Sequence, residues 1–279
     1  MLYGGEFQMK NIFLRNNVNV IGEGTKTIVF GHGFGCDQNI WQFMTPYFQK
    51  DHRMILFDYV GSGKSDLKAY NIERYKDLRG YAQDLLEVIE ASKSDSIIFI
   101  GHSVSAMIGL IASIEKPELF EAVVMIGPSP RYINELPDYF GGFNDNDIKE
   151  LINLMEVNYV GWASLNAAAL MNNPDRPMLA QHLKKIFTQE DPVIMRNFAE
   201  ATFFSDHRKD LQNATVPTLI VQCSKDSIVP IEVANYLNSN IKNSKLEVIG
   251  AKGHYPNLSE PKETSQLIIE YLSSLKVIK

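Results

Sequence analysis

A chain of 279 residues with 45% hydrophobic and 22% charged side chains has the balance of a soluble globular protein, and its length suits one α/β domain carrying an insertion. Its 27 basic and 33 acidic residues give a net charge of -6 with no long run of either sign, which argues against nucleic acid or an anionic membrane as a partner. Two cysteines, Cys36 and Cys223, stand far apart in no metal-binding spacing, so they read as reduced, packed thiols of a cytoplasmic protein with no metal. The longest apolar runs fall short of the ~20 residues that span a bilayer. The opening MLYGGEFQMK lacks the basic and apolar regions of a signal peptide; residues 1–8 read as an appended remnant, with Met9 as the natural start.

In chain order, FLRNNVNVIGEG reads as an edge hairpin turning at Asn16-Asn17. TIVFGHG, RMILFDYV, SIIFIGHS, AVVMIGP, TLIVQCS and LEVIGAKGH follow, bringing the expected strands to eight. Most of these runs are continuously apolar, the pattern of parallel strands covered on both faces. Segments between them, such as IERYKDLRGYAQDLLEVIEAS and VSAMIGLIASIEKPELF, carry helical spacing. Alternating strand and helix predicts a doubly wound, mostly parallel α/β sheet. One interval breaks the rhythm: about ninety residues between MIGPSP and TLIVQCS are helical in pattern, too long for a plain connection. They predict a helical lid over the carboxyl ends of the strands. The division expected is a core of 1–130 and 209–279 with a lid of 131–208.

DYVGSGKSD ends like a phosphate-binding loop, but Asp58 stands where the first glycine of that signature belongs. A glycine turn after a strand is the simpler reading.

FIGHSVSAMIG holds the functional signal. Ser103 follows a strand and opens a helix, the setting of a nucleophile elbow, with Gly101 and Ser105 at the two positions that must be small. Alone, Ser103 is as readily a helix cap. A serine hydroxyl needs an adjacent base, and the base needs an orienting acid. Asp226 follows the strand TLIVQCS, and His254 follows LEVIGAKG. In a parallel sheet all three lie at one edge, so Ser103, Asp226 and His254 are the expected catalytic residues. The expected oxyanion donors are the backbone N–H groups of Val104 and, in GHGFGC, of Phe34. His32 and His102 read as structural, and His52, His182 and His207 as surface residues. No cofactor is expected.

On these residues the chain resembles the α/β-hydrolase fold family and, within it, the RsbQ-like branch, whose plant relatives are the karrikin and strigolactone receptors. GHGFGCDQNIWQFMTPYF, FDYVGSGKSD, GHSVSAMIGLIAS, IGPSPRYIN, GGFNDNDIKELINLMEVNYVGWA and FFSDHRKDL carry the resemblance, and Ser105 is the residue this branch has at that position. The resemblance implies a four-helix, V-shaped lid over a closed apolar pocket lined by Phe34, Tyr132, Phe143, Trp162 and Phe204. It further implies a slow serine hydrolase of a small hydrophobic ester or lactone-like molecule. That enzyme would be a positive regulator of the SigB general stress response, acting through a phosphatase partner of the RsbP type. A metabolic esterase or lactonase, or a cofactor-free haloperoxidase-like enzyme, would use the same triad without a signalling role.

Overall fold

The computed structural model describes residues 11–277. Among them, β1 (Asn19–Ile21), β2 (Lys26–Gly31), β3 (His52–Leu56), β4 (Ile97–His102), β5 (Phe120–Ile126), β6 (Thr218–Lys225) and β7 (Ser244–Lys252) form one sheet in the order β1-β3-β2-β4-β5-β6-β7. β1 runs antiparallel to β3, and the other neighbouring pairs are parallel. Every residue of β4 is buried, as continuous apolar runs require when helices cover both faces.

Seven strands stand where eight were expected, because the proposed hairpin has only its second half. Residues 11–15 are helical. Asn17 has φ 44° and closes that helix: Val18 N–H donates to the Phe13 carbonyl at 2.8 Å, and Asn17 N–H to Leu14 at 3.3 Å. This is the left-handed helix stop that asparagine tolerates. Asn16 is buried and its amide donates to the Asp58 carbonyl at 3.0 Å, which fixes the helix end against the turn after β3. The Asn-Asn pair is therefore a helix cap and not a hairpin turn.

Helix α1 (Leu78–Ala91) starts later than its apolar spacing suggests, because the Asp77 side chain accepts from Arg79 N–H and caps it there. Helix α2 (Val104–Glu115) is buried along most of its length and packs on β4 and β5. The buried ring of Phe99 sets how closely it approaches. A Cβ at Gly31 or Gly101 would come within 2.6 or 2.7 Å of that ring, and one at Gly109 would collide with it. Three glycines on β2, β4 and α2 thus make the slot for one phenylalanine, whose burial is worth about 2–3 kcal/mol.

Between β5 and β6 four helices are inserted: α3 (Asp145–Val157), α4 (Tyr159–Met171), α5 (Pro177–Phe187) and α6 (Pro192–Phe203). α4 packs along α5, and α3 along α6. The two ends of the insertion meet where His207 N–H donates to the Pro130 carbonyl at 2.8 Å. After β6 come α7 (Ile231–Asn240), the short α8 (Pro256–Ser259) and α9 (Pro261–Ser274). His52 and His207 are buried and not on the surface. His52 opens β3 with Nδ1 at 3.1 Å from the Phe48 carbonyl, and His207 Nδ1 meets Asp210 at 2.8 Å.

Candidate active site

β4 ends at His102, and the chain reverses into α2 through a single residue, Ser103, at φ 55° and ψ -122°. Positive φ is a strained state for a serine. It is held on one side by Ser103 N–H donating to the Ile126 carbonyl of β5 at 2.7 Å, and on the other by Ala106 N–H donating to the Ser103 carbonyl at 2.9 Å. Small size at position 101 follows from the same reversal, since a Cβ there would lie 2.7 Å from the Ser105 carbonyl oxygen.

Ser105 is more than a small residue. Its hydroxyl donates to the His32 carbonyl, so the neighbouring Tyr59 hydroxyl, 3.0 Å away, is left to donate to Ser105 Oγ. The first turn of α2 is thereby tied to the loop that carries Phe34.

The triad atoms meet at hydrogen-bonding distance. His254 Nε2 is 2.8 Å from Ser103 Oγ, and His254 Nδ1 is 2.9 and 3.0 Å from the two Asp226 oxygens. The His254 and Asp226 side chains are 4% and 1% exposed, so water does not compete for these bonds. A carboxylate only accepts, which puts the proton on Nδ1 and turns the Nε2 lone pair toward the serine hydroxyl. Asp226 is oriented in turn by the N–H groups of Ile228 and Val229, at 2.8 and 3.0 Å.

Gly127, just past β5, also shapes the site, although no sequence motif marks it. Its φ is 60°, and a Cβ there would come within 3.0 Å of the His254 ring. The apolar run ending in IGP is the only local sign of it.

Both flanking histidines have structural bonding. His102 Nε2 is 2.7 Å from the His254 carbonyl and must donate to it. His32 Nε2 accepts from Tyr59 N–H at 3.2 Å, leaving Nδ1–H for the Gly33 carbonyl at 3.0 Å. Burial pushes both imidazoles down from their ordinary value, which keeps them neutral. The N–H groups of Phe34 and Val104 have no protein acceptor among the described residues, so both donors remain free for a ligand oxygen.

The sequence profile of the alpha/beta hydrolase fold matches residues 26–261, a span that contains Ser103, Asp226 and His254. The chain belongs to the alpha/beta hydrolase fold family. It is 39% identical over 257 residues to a karrikin insensitive 2 receptor of Petunia hybrida, covering 92% of this chain and 93% of the relative. It is 37% identical over 259 residues to a strigolactone esterase of Arabidopsis thaliana, covering 92% and 96%. Among solved structures, a hydrolase from Oleispira antarctica superposes with a TM-score of 0.92 at 43% identity, over 95% of this chain and 97% of that one. The protein is a hydrolase.

In the hydrolase, Ser103 borders a cavity of about 40 Å³. Phe34, Tyr132 and Trp162 line it. Phe34 is the hub, with ring centroids 5.9 Å from Trp162, 5.6 Å from Phe198 and 5.7 Å from Phe203. Burial pushes the Tyr132 phenol up, against the pull of nearby Ser103, so it stays protonated and able to donate.

The structure puts two expected pocket residues elsewhere. Phe204 is 39% exposed and faces a surface cleft with Arg79 and Asp210, while Phe203 lines the cavity. One step along a helix turns a side chain by about 100°, and that step separates the two rings. Phe143 is half-buried in the strand-like bridge to Ile133 and does not line the cavity. Asn166 and Thr202, polar residues missed in the sequence, lie on the lining. Neither carries a local signal that separates it from an ordinary residue of the inserted helices. Among the described residues no His, Cys, Asp and Glu are grouped to hold a metal ion, and no helix is long and apolar enough to cross a membrane.

Proposed function

We propose that this hydrolase cleaves a small hydrophobic ester or lactone through Ser103 as nucleophile, His254 as general base and Asp226 as its orienting acid. The single observation that carries the reading is the unbroken Ser103–His254–Asp226 chain of hydrogen bonds at 2.8 and 2.9 Å, sealed from water. His254 would take the serine proton as Oγ attacks the carbonyl carbon, and Asp226 would stabilise the imidazolium. The free N–H groups of Phe34 and Val104 would receive the oxyanion. The proton would then pass from His254 to the leaving alkoxide, and water would repeat the sequence on the acyl-enzyme.

The units of this reading are a core of 1–130 and 209–279, of which 1–10 and 278–279 lie outside the described residues, and a lid of 131–208, in a cytoplasmic protein. The small cavity favours a regulatory role, since lid motion has to admit any ligand larger than a few waters and would slow turnover. The similarity to a named receptor and a named esterase supports a scaffold on which ligand sensing and hydrolysis coexist. In the finer reading, by resemblance to the RsbQ-like branch, the occupied state signals to an RsbP-like phosphatase and activates SigB. A metabolic esterase or lactonase is the alternative.

Labelling with a small fluorophosphonate and peptide mass mapping test the chemistry: the adduct is expected on Ser103, and labelling elsewhere overturns it. Turnover below the roughly 10 s⁻¹ of a median enzyme is expected. For the regulatory reading, a Ser103→Ala strain should lose the stress response. A normal response combined with failed growth on one ester favours the metabolic enzyme.

A further inference from the structure

His254 is held at four points, and one of them belongs to the lid. Its ring meets Ser103 and Asp226, and its carbonyl accepts from His102. Its own N–H donates at 2.7 Å to the carbonyl of Leu170, in the last turn of lid helix α4. The same carbonyl accepts from Ser227 Oγ, next to Asp226, at 3.3 Å. One lid carbonyl therefore touches the backbone of the base and the neighbour of the acid. A helix-end carbonyl has no intrahelical partner, so it is free to take both.

The turn between α4 and α5 fastens this contact on either side of His254. Asn173, which is buried, donates from Nδ2 to the Lys252 carbonyl at 3.3 Å. Arg176 donates to the Ser259 carbonyl at 2.6 Å, to Glu260 at 2.8 Å and back to Asn173 Oδ1 at 2.6 Å. Between these anchors the approach is tight: a Cβ at Gly253 would collide with the Leu170 and Met171 carbonyls. Leu170 also lines the cavity, so the residue that steadies the base borders the ligand space.

Resting on the triad reading above, we propose that the α4–α5 turn, with Arg176 and Asn173 as positioning residues, sets the placement of His254 for proton transfer. Catalysis then requires this arm of the lid to be docked. Any partner or ligand that lifts the arm withdraws the Leu170 carbonyl and stops turnover without touching Ser103. Arg176 and Glu260 are each 40% exposed, and a pair so exposed adds little to stability. The consequence of losing Arg176 should therefore fall on geometry.

The test compares the full-length parent with Arg176→Met, Arg176→Lys and Asn173→Ala. It reads kcat and KM on a small acyl ester, the rate of fluorophosphonate labelling, and the melting temperature. Arg176→Met is expected to lower kcat and the labelling rate together by roughly 10- to 100-fold, the range a small misplacement of a catalytic group costs. KM should stay at the parent value, and Arg176→Lys should recover part of the loss. Asn173→Ala should reproduce the loss, providing a second variant if Arg176→Met folds poorly. Parent-like kcat in folded Arg176→Met, or a loss that rises in KM alone, overturns the proposal. A parent protein that does not label on Ser103 overturns the triad reading instead, before any variant is compared.

Discussion

The Glu190 carboxyl, between the inserted helices α5 and α6, accepts the Gly63 N–H of the turn after β3 at 3.0 Å. In the same glycine turn, Lys64 N–H donates to Asp58 at 2.9 Å. These amides belong to the segment that imitates a phosphate loop, and protein carboxylates occupy them. Burial raises the Glu190 carboxyl from its ordinary 4.5 to about 8, with Asp37, Asp58 and Asp191 pushing the same way and the Gly63 amide opposing. Between those two values the folded protein holds a proton that the unfolded chain has released. Stability should fall as pH rises from about 4.5 to about 8 and level off above that. Glu190→Gln keeps an acceptor for Gly63 and cannot ionise. Its melting temperature should match the parent near the acid end of this window and exceed it at the alkaline end. Parallel melting curves across the window would show that Glu190 does not hold this proton.

On the proposed mechanism, removing Ser103 or His254 should be nearly equivalent, because nucleophile and base act as one unit. Ser103→Ala and His254→Ala should each lower ester turnover about 10⁴-fold or more. Asp226→Asn should cost less, since the imidazole remains but loses its tautomer and aim. Near-parent turnover in Ser103→Ala, measured by steady-state ester hydrolysis, would remove the serine from the mechanism.

The two adjacent phenylalanines should separate cleanly. Phe203→Ala and Trp162→Ala enlarge the cavity, so both should change the ratio of kcat/KM for a bulky ester to that for an acetate ester. Phe204→Ala, at the surface, should leave that ratio alone. Equal effects from the two phenylalanine substitutions would contradict the assignment of Phe203 to the lining.

Ser105→Ala should destabilise the protein through Tyr59. Without the serine oxygen, the buried Tyr59 hydroxyl loses its acceptor, at a cost of about 1–3 kcal/mol. Chemical denaturation should show the loss as a lower midpoint at unchanged slope. A second substitution, Tyr59→Phe, should recover part of it, because both hydrogen-bonding groups are then gone. No recovery would mean that Ser105 acts only through the His32 carbonyl.

The sequence by itself determined the parallel strands of the sheet and the order of the candidate residues along it. Short continuous apolar runs such as IIFI, alternating with helically spaced segments, read as strands buried on both faces, and parallel strands put Ser103, Asp226 and His254 at one edge. Those signals are local: a strand, a small-residue turn, and an acid or imidazole just past a strand end. Only the tertiary structure decided what depends on phase and on main-chain partners. The phase of α6 against the core chose Phe203 over Phe204. The turn of Asp58 toward Asn16 made the Asn-Asn pair a helix cap and left seven strands among the described residues. The bond from His254 N–H to the Leu170 carbonyl joins residues 84 positions apart through main-chain groups rather than side chains. A backbone carbonyl has no letter in the sequence, so its role appears only when folding brings a partner to it.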